Sequence, residues 1–254
     1  MNRRSFFKST VLVGGGMLLG FNWLTACKRE EALEEALALP SEWFDINAFL
    51  KIGDNGVVTI LSPNPEIGQN VKTSMPMIVA EELDVNWKNV LVEQAPLNTE
   101  AFSRQVAGGS QSIRQSWEGL RKAGATARQM LVNAAAKRWE VDPAACTTSD
   151  GVISGPDGQK LTYGEVASEA ALLEVPEEVA LKNVSDFKIV GTGRGNVDID
   201  AIITGKPLYG LDTKREGMQY AVVLRPPAFG QKLVSYDDSA ARAVSGVADV
   251  IRFG

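Results

Sequence analysis

Apolar side chains recur along this chain at two distinct periods. Ile113, Trp117, Leu120, Gly124, Ala127, Leu131 and Ala134 return every three or four residues, which predicts one amphipathic helix sustained as far as Trp139. Val71, Met75, Ile78, Val79 and Leu83 predict a second helix, with Pro76 in its first turn, where a missing N–H is harmless. Alternating runs at 49–52 and 57–60 flank Asp54-Asn55-Gly56 and predict a β-hairpin. Residues 90–94 read as a strand, 152–154 and 160–162 as a second hairpin, and 163–173 as a short helix. A connector spans 176–185. From Phe187 onward strand-like runs dominate, at 187–190, 208–211, 218–224, 233–236 and 247–253, with one helical stretch at 239–244. The predicted class is α+β, with a mainly β second unit.

Both long helices are entered from polar, glycine-containing loops. The longer one follows Gly108-Gly109-Ser110-Gln111-Ser112. Glycines let backbone approach a ligand closely, and the first N–H groups of a helix have no partner within it. Ser110 and Ser112 either cap the helix or offer hydroxyls to an anion held at its start. The other loop runs from Pro63 to Asn70. Gln69 there carries an amide that donates and accepts, although a capped connection is the ordinary role of such a loop. Gly191-Thr192-Gly193-Arg194-Gly195 lacks a third spaced glycine and a following amphipathic helix, so it reads as a turn.

Composition narrows the chemistry. The 254 residues carry a net charge of −5, which argues against a nucleic-acid partner. There is no histidine, and the cysteines are Cys27 and Cys146 alone. Iron–sulfur clusters, ordinary zinc sites and His-dependent hydrolase triads therefore lack their ligands or their base. Redox chemistry would have to come from a cofactor held by hydrogen bonds. The start of the chain has the layout of an export signal over residues 1–27. Arg3-Arg4 precedes an apolar run, as on the twin-arginine route. Leu24-Thr25-Ala26-Cys27 resembles a lipobox, which would make Cys27 a lipidation site in an exported, periplasmic protein. A signal anchor or simple cleavage would instead leave Cys27 incidental. Residues 28–43 read as a charged tether.

Three segments together resemble one family. Pro65-Glu66-Ile67-Gly68-Gln69-Asn70-Val71-Lys72-Thr73 is similar to its E-x-G-Q-G-x-x-T segment, with Asn70 in place of the usual glycine. Gly108 to Trp117 is similar to its G-G-S-x-S-x-R-x-x-W segment. The segments from Gly205 to Asp212, from Gly217 to Ala221 and at Arg225-Pro226-Pro227 are similar to the opening of its α/β hammerhead domain. The family is the molybdopterin-binding large subunit of xanthine dehydrogenase-type molybdenum hydroxylases. The branch is that of isoquinoline 1-oxidoreductase β-subunits and membrane-associated aldehyde dehydrogenases, in which the loops precede the hammerhead.

The resemblance implies a molybdopterin-binding-type α/β unit over 44–185 and a truncated hammerhead over 186–254. It implies a molybdopterin cytosine dinucleotide held by Gly68, Gln69 and Thr73 on one side and by Gly108, Gly109, Ser110 and Ser112 on the other. The protein would supply no molybdenum ligand. Partners would be the remainder of the large subunit in trans, an iron–sulfur small subunit and a cytochrome c acceptor. The reaction would be oxidation of an aldehyde or N-heterocycle with water as oxygen source. No catalytic residue is assigned within this chain, because the family's catalytic glutamate lies near the far end of a much longer one. Glu66 belongs to a loop motif, and Glu81 and Glu82 fit an exposed helix face. The chain alone is expected to be inert. A binding or scaffold lipoprotein, or a gene remnant, are the other classes. A second unit that closes on itself would favour the scaffold, and one that leaves its apolar faces exposed would favour an incomplete enzyme or a remnant.

Overall fold

The computed structural model describes residues 37–253. Residues 1–27, expected to be an export signal, with the lipidation candidate Cys27 and the first part of the expected tether, lie outside the described residues. The chain divides into two compact units, Met1–Tyr209 and Gly210–Gly254, so residues 186–209 belong with the first.

The first unit is α+β and contains two sheets. β1 (Trp43–Asn47), β2 (Leu50–Gly53), β3 (Val58–Ser62) and β4 (Val90–Gln94) lie in sequence order in one sheet. The first three strands are antiparallel neighbours, and β3 and β4 run parallel. A parallel pair needs a crossover, and α1 (Val71–Leu83) supplies it. The hairpin around Asp54-Asn55-Gly56 forms as expected. β1 was not foreseen. α2 (Ser112–Trp139) is the long helix that the apolar stripe predicts. The second sheet, β5 (Thr147–Ser149), β6 (Val152–Ser154) and β7 (Lys160–Thr162), is an antiparallel meander. It feeds α3 (Tyr163–Ala170) through a capping box of Thr162 and Glu165.

The core lies between the large sheet and the helices. Ile52, Val58 and Ile60 of the sheet meet Met75, Val79 and Leu83 of α1 and Met130 and Leu131 of α2, all buried. The buried Tyr163 hydroxyl donates to the Leu83 carbonyl at 2.6 Å, satisfying an acceptor that the end of α1 leaves unpaired. α1 and α2 approach closely at Gly124, where a Cβ would lie 2.3 Å from the Val79 carbonyl oxygen.

α1 departs from expectation in two ways. Pro76 is its sixth residue, not in the first turn, so the Lys72 carbonyl loses its i+4 donor. Glu81 and Glu82, expected on an exposed face, are 1% and 0% exposed. A helix packed on nearly every side has no solvent face to offer, and these carboxylates are satisfied internally. Glu81 Oε2 accepts the backbone N–H groups of Lys188 (2.9 Å), Ile189 (2.6 Å) and Val190 (3.0 Å). Glu82 accepts Arg121 Nε at 2.7 Å and the Lys182 N–H at 3.0 Å.

The runs at 187–190, 208–211, 218–224, 233–236 and 247–253 form no strand. Residues 188–190 give their N–H groups to Glu81 instead of to a neighbouring strand. Among the described residues of the second unit regular structure is limited to a 3₁₀ turn at Gly210–Asp212 and to the one-turn α5 (Ser239–Arg242), after the five-residue α4 (Ile199–Ile203) of the first unit. Among its described residues none is buried, and Tyr220, Val222, Leu224 and Phe229 are exposed. Strand propensity is realised only against a partner surface, and these residues have none within the unit.

Candidate functional site

Two loops leave the same end of the sheet. β3 and β4 are in parallel register from Val58 opposite Val90 to Ser62 opposite Gln94. Loop 63–70 follows β3 and loop 95–111 follows β4, so both emerge from adjacent carboxyl ends, where open α/β sheets hold ligands. Hydrogen bonds tie the loops together. Gln94 Nε2 donates to the carbonyls of Ser62 (2.8 Å) and Asn64 (3.1 Å). Gln105 Nε2 donates to those of Pro63 (3.2 Å) and Pro96 (2.8 Å). Asn64 Nδ2 donates to the Val106 carbonyl at 2.9 Å and to Ser112 Oγ at 3.0 Å. Asn64 is fully buried, and its Oδ1 has no partner among the described residues.

The first loop is closed on itself. Glu66 Oε1 accepts the N–H groups of Gly68 (2.7 Å) and Asn70 (2.9 Å), and Oε2 accepts that of Lys72 (2.9 Å). The carboxylate thus sits at the start of α1, where the helix dipole favours a negative charge. Gln69 is exposed but occupied, because its Oε1 accepts the Ile67 N–H at 2.7 Å and its Nε2 donates to the Pro65 carbonyl at 3.0 Å. Asn70 adopts φ 66°, the left-handed conformation that the glycine of the resembling segment would take, and asparagine is among the few residues that tolerate it. Thr73 is 2% exposed and donates to Asn70 Oδ1 at 2.6 Å while accepting the Val197 N–H at 3.1 Å.

The second loop is open. Gly109 and Ser110 both take positive φ, 63° and 53°. Gly108, Gly109 and Ser110 are exposed and make no hydrogen bond among the described residues. Ser110 and Ser112 do not cap α2, and Gln111 at the N-cap position makes no side-chain capping bond. The orphan N–H groups of a 28-residue helix therefore remain available. Just upstream, Arg104 Nη1 is buried without a partner.

Of the residues singled out from the sequence, Ser112 is joined to the first loop through Asn64. No hydrogen bond among the described residues links Gly68 or Gln69 to Gly108, Gly109 or Ser110. Asn64 and Arg104 were not anticipated, and Glu66 was read only as part of a loop motif, without the closing role it has. Asn64 sits between two prolines, and Glu66 precedes Gly68, Asn70 and Lys72 at even spacing, the one signal that could have marked it. A separate polar pocket of about 160 Å³, lined by Glu81, Asp84, Lys182, Lys188 and Arg194 among others, lies at the C-terminal end of α1. Lys182 there pairs with Asp84 at 2.8 Å.

Burial pushes the Glu66 carboxyl up, but the N–H groups of Lys72, Asn70, Gly68 and Gln69 together outweigh it and hold the group below the ordinary glutamate value of 4.5. A depressed folded pKa means that the charged form supports the loop at neutral pH and that this support fades as pH falls through the depressed value. The Gly68 and Asn70 amide resonances should titrate together, with a midpoint below 4.5. A midpoint at or above that value would refute the carboxylate's place in the loop.

The donor set fits a pterin ligand at the second loop. Free N–H groups and the Ser110 hydroxyl suit its anionic part, and the unpaired Asn64 Oδ1 is an acceptor for an N–H donor. The first loop offers such groups only if Glu66 and Gln69 exchange partners.

Several known proteins are similar to this chain. A family model described as molybdopterin cofactor-binding domain matches residues 7–202. The chain is 28% identical over 254 residues to a membrane-bound aldehyde dehydrogenase (pyrroloquinoline-quinone) of Gluconacetobacter polyoxogenes, covering 97% of this chain and 32% of the relative. It is 31% identical over 248 residues to the β-subunit of isoquinoline 1-oxidoreductase of Brevundimonas diminuta, covering 81% and 31%. It is 30% identical over 217 residues to a nicotinate dehydrogenase subunit of Pseudomonas putida, covering 82% and 18%. Among solved structures it is similar to quinoline 2-oxidoreductase from Pseudomonas putida 86, with 22% identity, a TM-score of 0.39, and coverage of 52% of this chain and 17% of that one. The chain spans about a third or less of the length of these relatives.

Proposed function

This chain belongs to the family of molybdopterin cofactor-binding domains, and we propose that it forms one wall of the cofactor site in a molybdenum hydroxylase that oxidises an aldehyde or an N-heterocycle. The observation that carries this reading is the Asn64 bridge, which holds the loop after β3 against the first residue of α2. Gly108, Gly109, Ser110 and the N-terminus of α2 would hold the anionic part of the cofactor, read as the cytosine dinucleotide form. Gly68, Gln69 and Thr73 would line the other side, and Arg104 would add a positive charge.

When bound, the cofactor would supply transfer of a water-derived oxygen to an electron-poor carbon, with two electrons and one proton leaving the carbon's C–H bond and the second proton leaving the water. This chain's contribution is to bind and orient. Glu66, Glu81 and Glu82 would not serve as a base, because Glu81 and Glu82 are committed to backbone N–H groups, Lys182 and Arg121, and Glu66 closes its own loop. A base, substrate contacts and the rest of the cofactor site would come from a polypeptide in trans. An iron–sulfur small subunit and a cytochrome c acceptor would carry the electrons onward. The exposed apolar residues of the second unit support this dependence on a partner, since a self-contained scaffold module would bury them. The export signal and Cys27 support a periplasmic, membrane-anchored location.

The test is co-expression with a polypeptide carrying the portion of the relatives beyond this match. The complex should contain molybdenum, release cytidine monophosphate on hydrolysis and oxidise aldehydes or N-heterocycles, whereas the chain alone, even with cofactor added, should show no turnover. Turnover by the chain alone with added cofactor, or a complex free of molybdenum, would overturn the proposal.

A further inference from the structure

We propose that residues 196–204 are a hinged lid over the first turn of α1, latched by Lys72 to Asp198 and by the Val197 N–H to Thr73. The proposal rests on reading the Gly68–Thr73 turn as part of the cofactor cradle, and it adds how that side is closed and opened.

Three consecutive stretches divide the labour. Residues 188–190 are the anchor, fixed by their N–H groups to the buried Glu81 carboxylate. Residues 191–195, Gly-Thr-Gly-Arg-Gly, are the first hinge. Thr192 bonds back to the Ile189 carbonyl, and apart from the adjoining residues no heavy atom lies within 4 Å of the Cβ position at Gly191, Gly193 or Gly195, so each faces open space. Gly191 takes φ +86°. Residues 196–204 are the lid, with α4 at its centre, and Gly205 at φ +69° ends it.

Little apolar burial holds the lid down, because Ile199, Ile202 and Ile203 are all exposed. The latch is polar. Lys72 Nζ donates to both Asp198 carboxylate oxygens, at 2.7 and 2.9 Å, and the two side chains are each 17% exposed. The Val197 N–H reaches Thr73 Oγ1 at 3.1 Å. A segment with few buried contacts beside one pinned in the core is where local opening is cheapest. When the lid lifts, Thr73 regains a free hydroxyl lone pair and Lys72 a free ammonium, both within five residues of Gly68 and Gln69. The lid thus keeps these groups paired until a ligand can replace its contacts.

Amide hydrogen exchange on the purified chain tests this with Asp198→Asn, which leaves every proposed cofactor contact in place. Exchange at 196–204 should accelerate roughly tenfold while 188–190 stay as protected as in the wild type. Under anaerobic conditions, added molybdopterin should change exchange at 196–204 together with 66–70 and 108–112. Equal acceleration of 188–190 and 196–204, or none at 196–204, would overturn the hinge. Protection confined to 66–70 and 108–112 would overturn the lid while sparing the cofactor reading. Molybdopterin that alters no segment would overturn that reading, and the lid's role with it.

Discussion

Glu81→Ala should destabilise the first unit by about 3–5 kcal/mol, the range for breaking a buried, fully paired charge. The carboxylate is 1% exposed and receives three backbone N–H groups through one oxygen, with Lys182 Nζ at 3.4 Å from the other. Alanine removes the acceptor and leaves those donors without water or partner, each costing about 1–3 kcal/mol when buried. The loss should be larger than for an exposed ion pair such as Lys122–Glu118, whose removal should leave the unfolding midpoint nearly unchanged. Urea unfolding of the two variants checks the contrast. Similar midpoints would mean that residues 188–190 find other partners. Glu81→Gln should fall between, because it keeps one acceptor oxygen and loses the charge.

Gly124→Ala should cost about 3 kcal/mol, against an intrinsic helix preference that favours alanine by about 1 kcal/mol. The added Cβ would sit 2.3 Å from the Val79 carbonyl oxygen, 2.9 Å from Glu82 Cβ and 3.1 Å from the Leu83 nitrogen. Two of those atoms are backbone, so α1 and α2 must separate. Gly119 on the same helix meets nothing within 4 Å, and Gly119→Ala should stabilise by up to about 1 kcal/mol. Opposite signs in thermal unfolding confirm the close approach. A stabilising Gly124→Ala would show that the helices have room to spare.

Much of the first unit was legible because its patterns are local. The α2 stripe, the hairpin around Asp54-Asn55-Gly56 and the strand at 90–94 each declare themselves within a dozen residues. β5 (Thr147–Ser149) has no apolar residue to alternate, and β1 (Trp43–Asn47) joins β2 through Ala48-Phe49, which carries no turn signal. Glu81 and Glu82 misled because a charged pair near a helix end ordinarily faces water, and the groups that satisfy Glu81 lie 107 to 109 residues later along the chain. The same distance hid the fate of 187–190, whose strand propensity gave way to a carboxylate no local window contains. The apolar runs beyond 208 read as strands from composition, but strands exist only in pairs.

The candidate site was half legible. Glycine and serine before α2 pointed to uncommitted donors, and that loop is open. The glycine and glutamine before α1 suggested the same, yet Glu66 had already claimed those N–H groups. Thr73 was read as a contact for the cofactor, while the structure gives its hydroxyl to Asn70 and Val197. Asn64, which joins the two loops, carried no recognisable motif.

The long reach between Glu81 and residues 188–190 also governs how the chain emerges during synthesis. At about 5–20 residues per second, the growing polypeptide passes on the order of ten seconds between making α1 and making the amides that quiet its acidic end. Until then the nascent helix carries the Glu81 carboxylate without the N–H groups that let it be buried, which favours a hydrated acidic end of α1. Slow codons placed after residue 190 would lengthen the time available for closure, and slow codons before it would prolong the vulnerable interval.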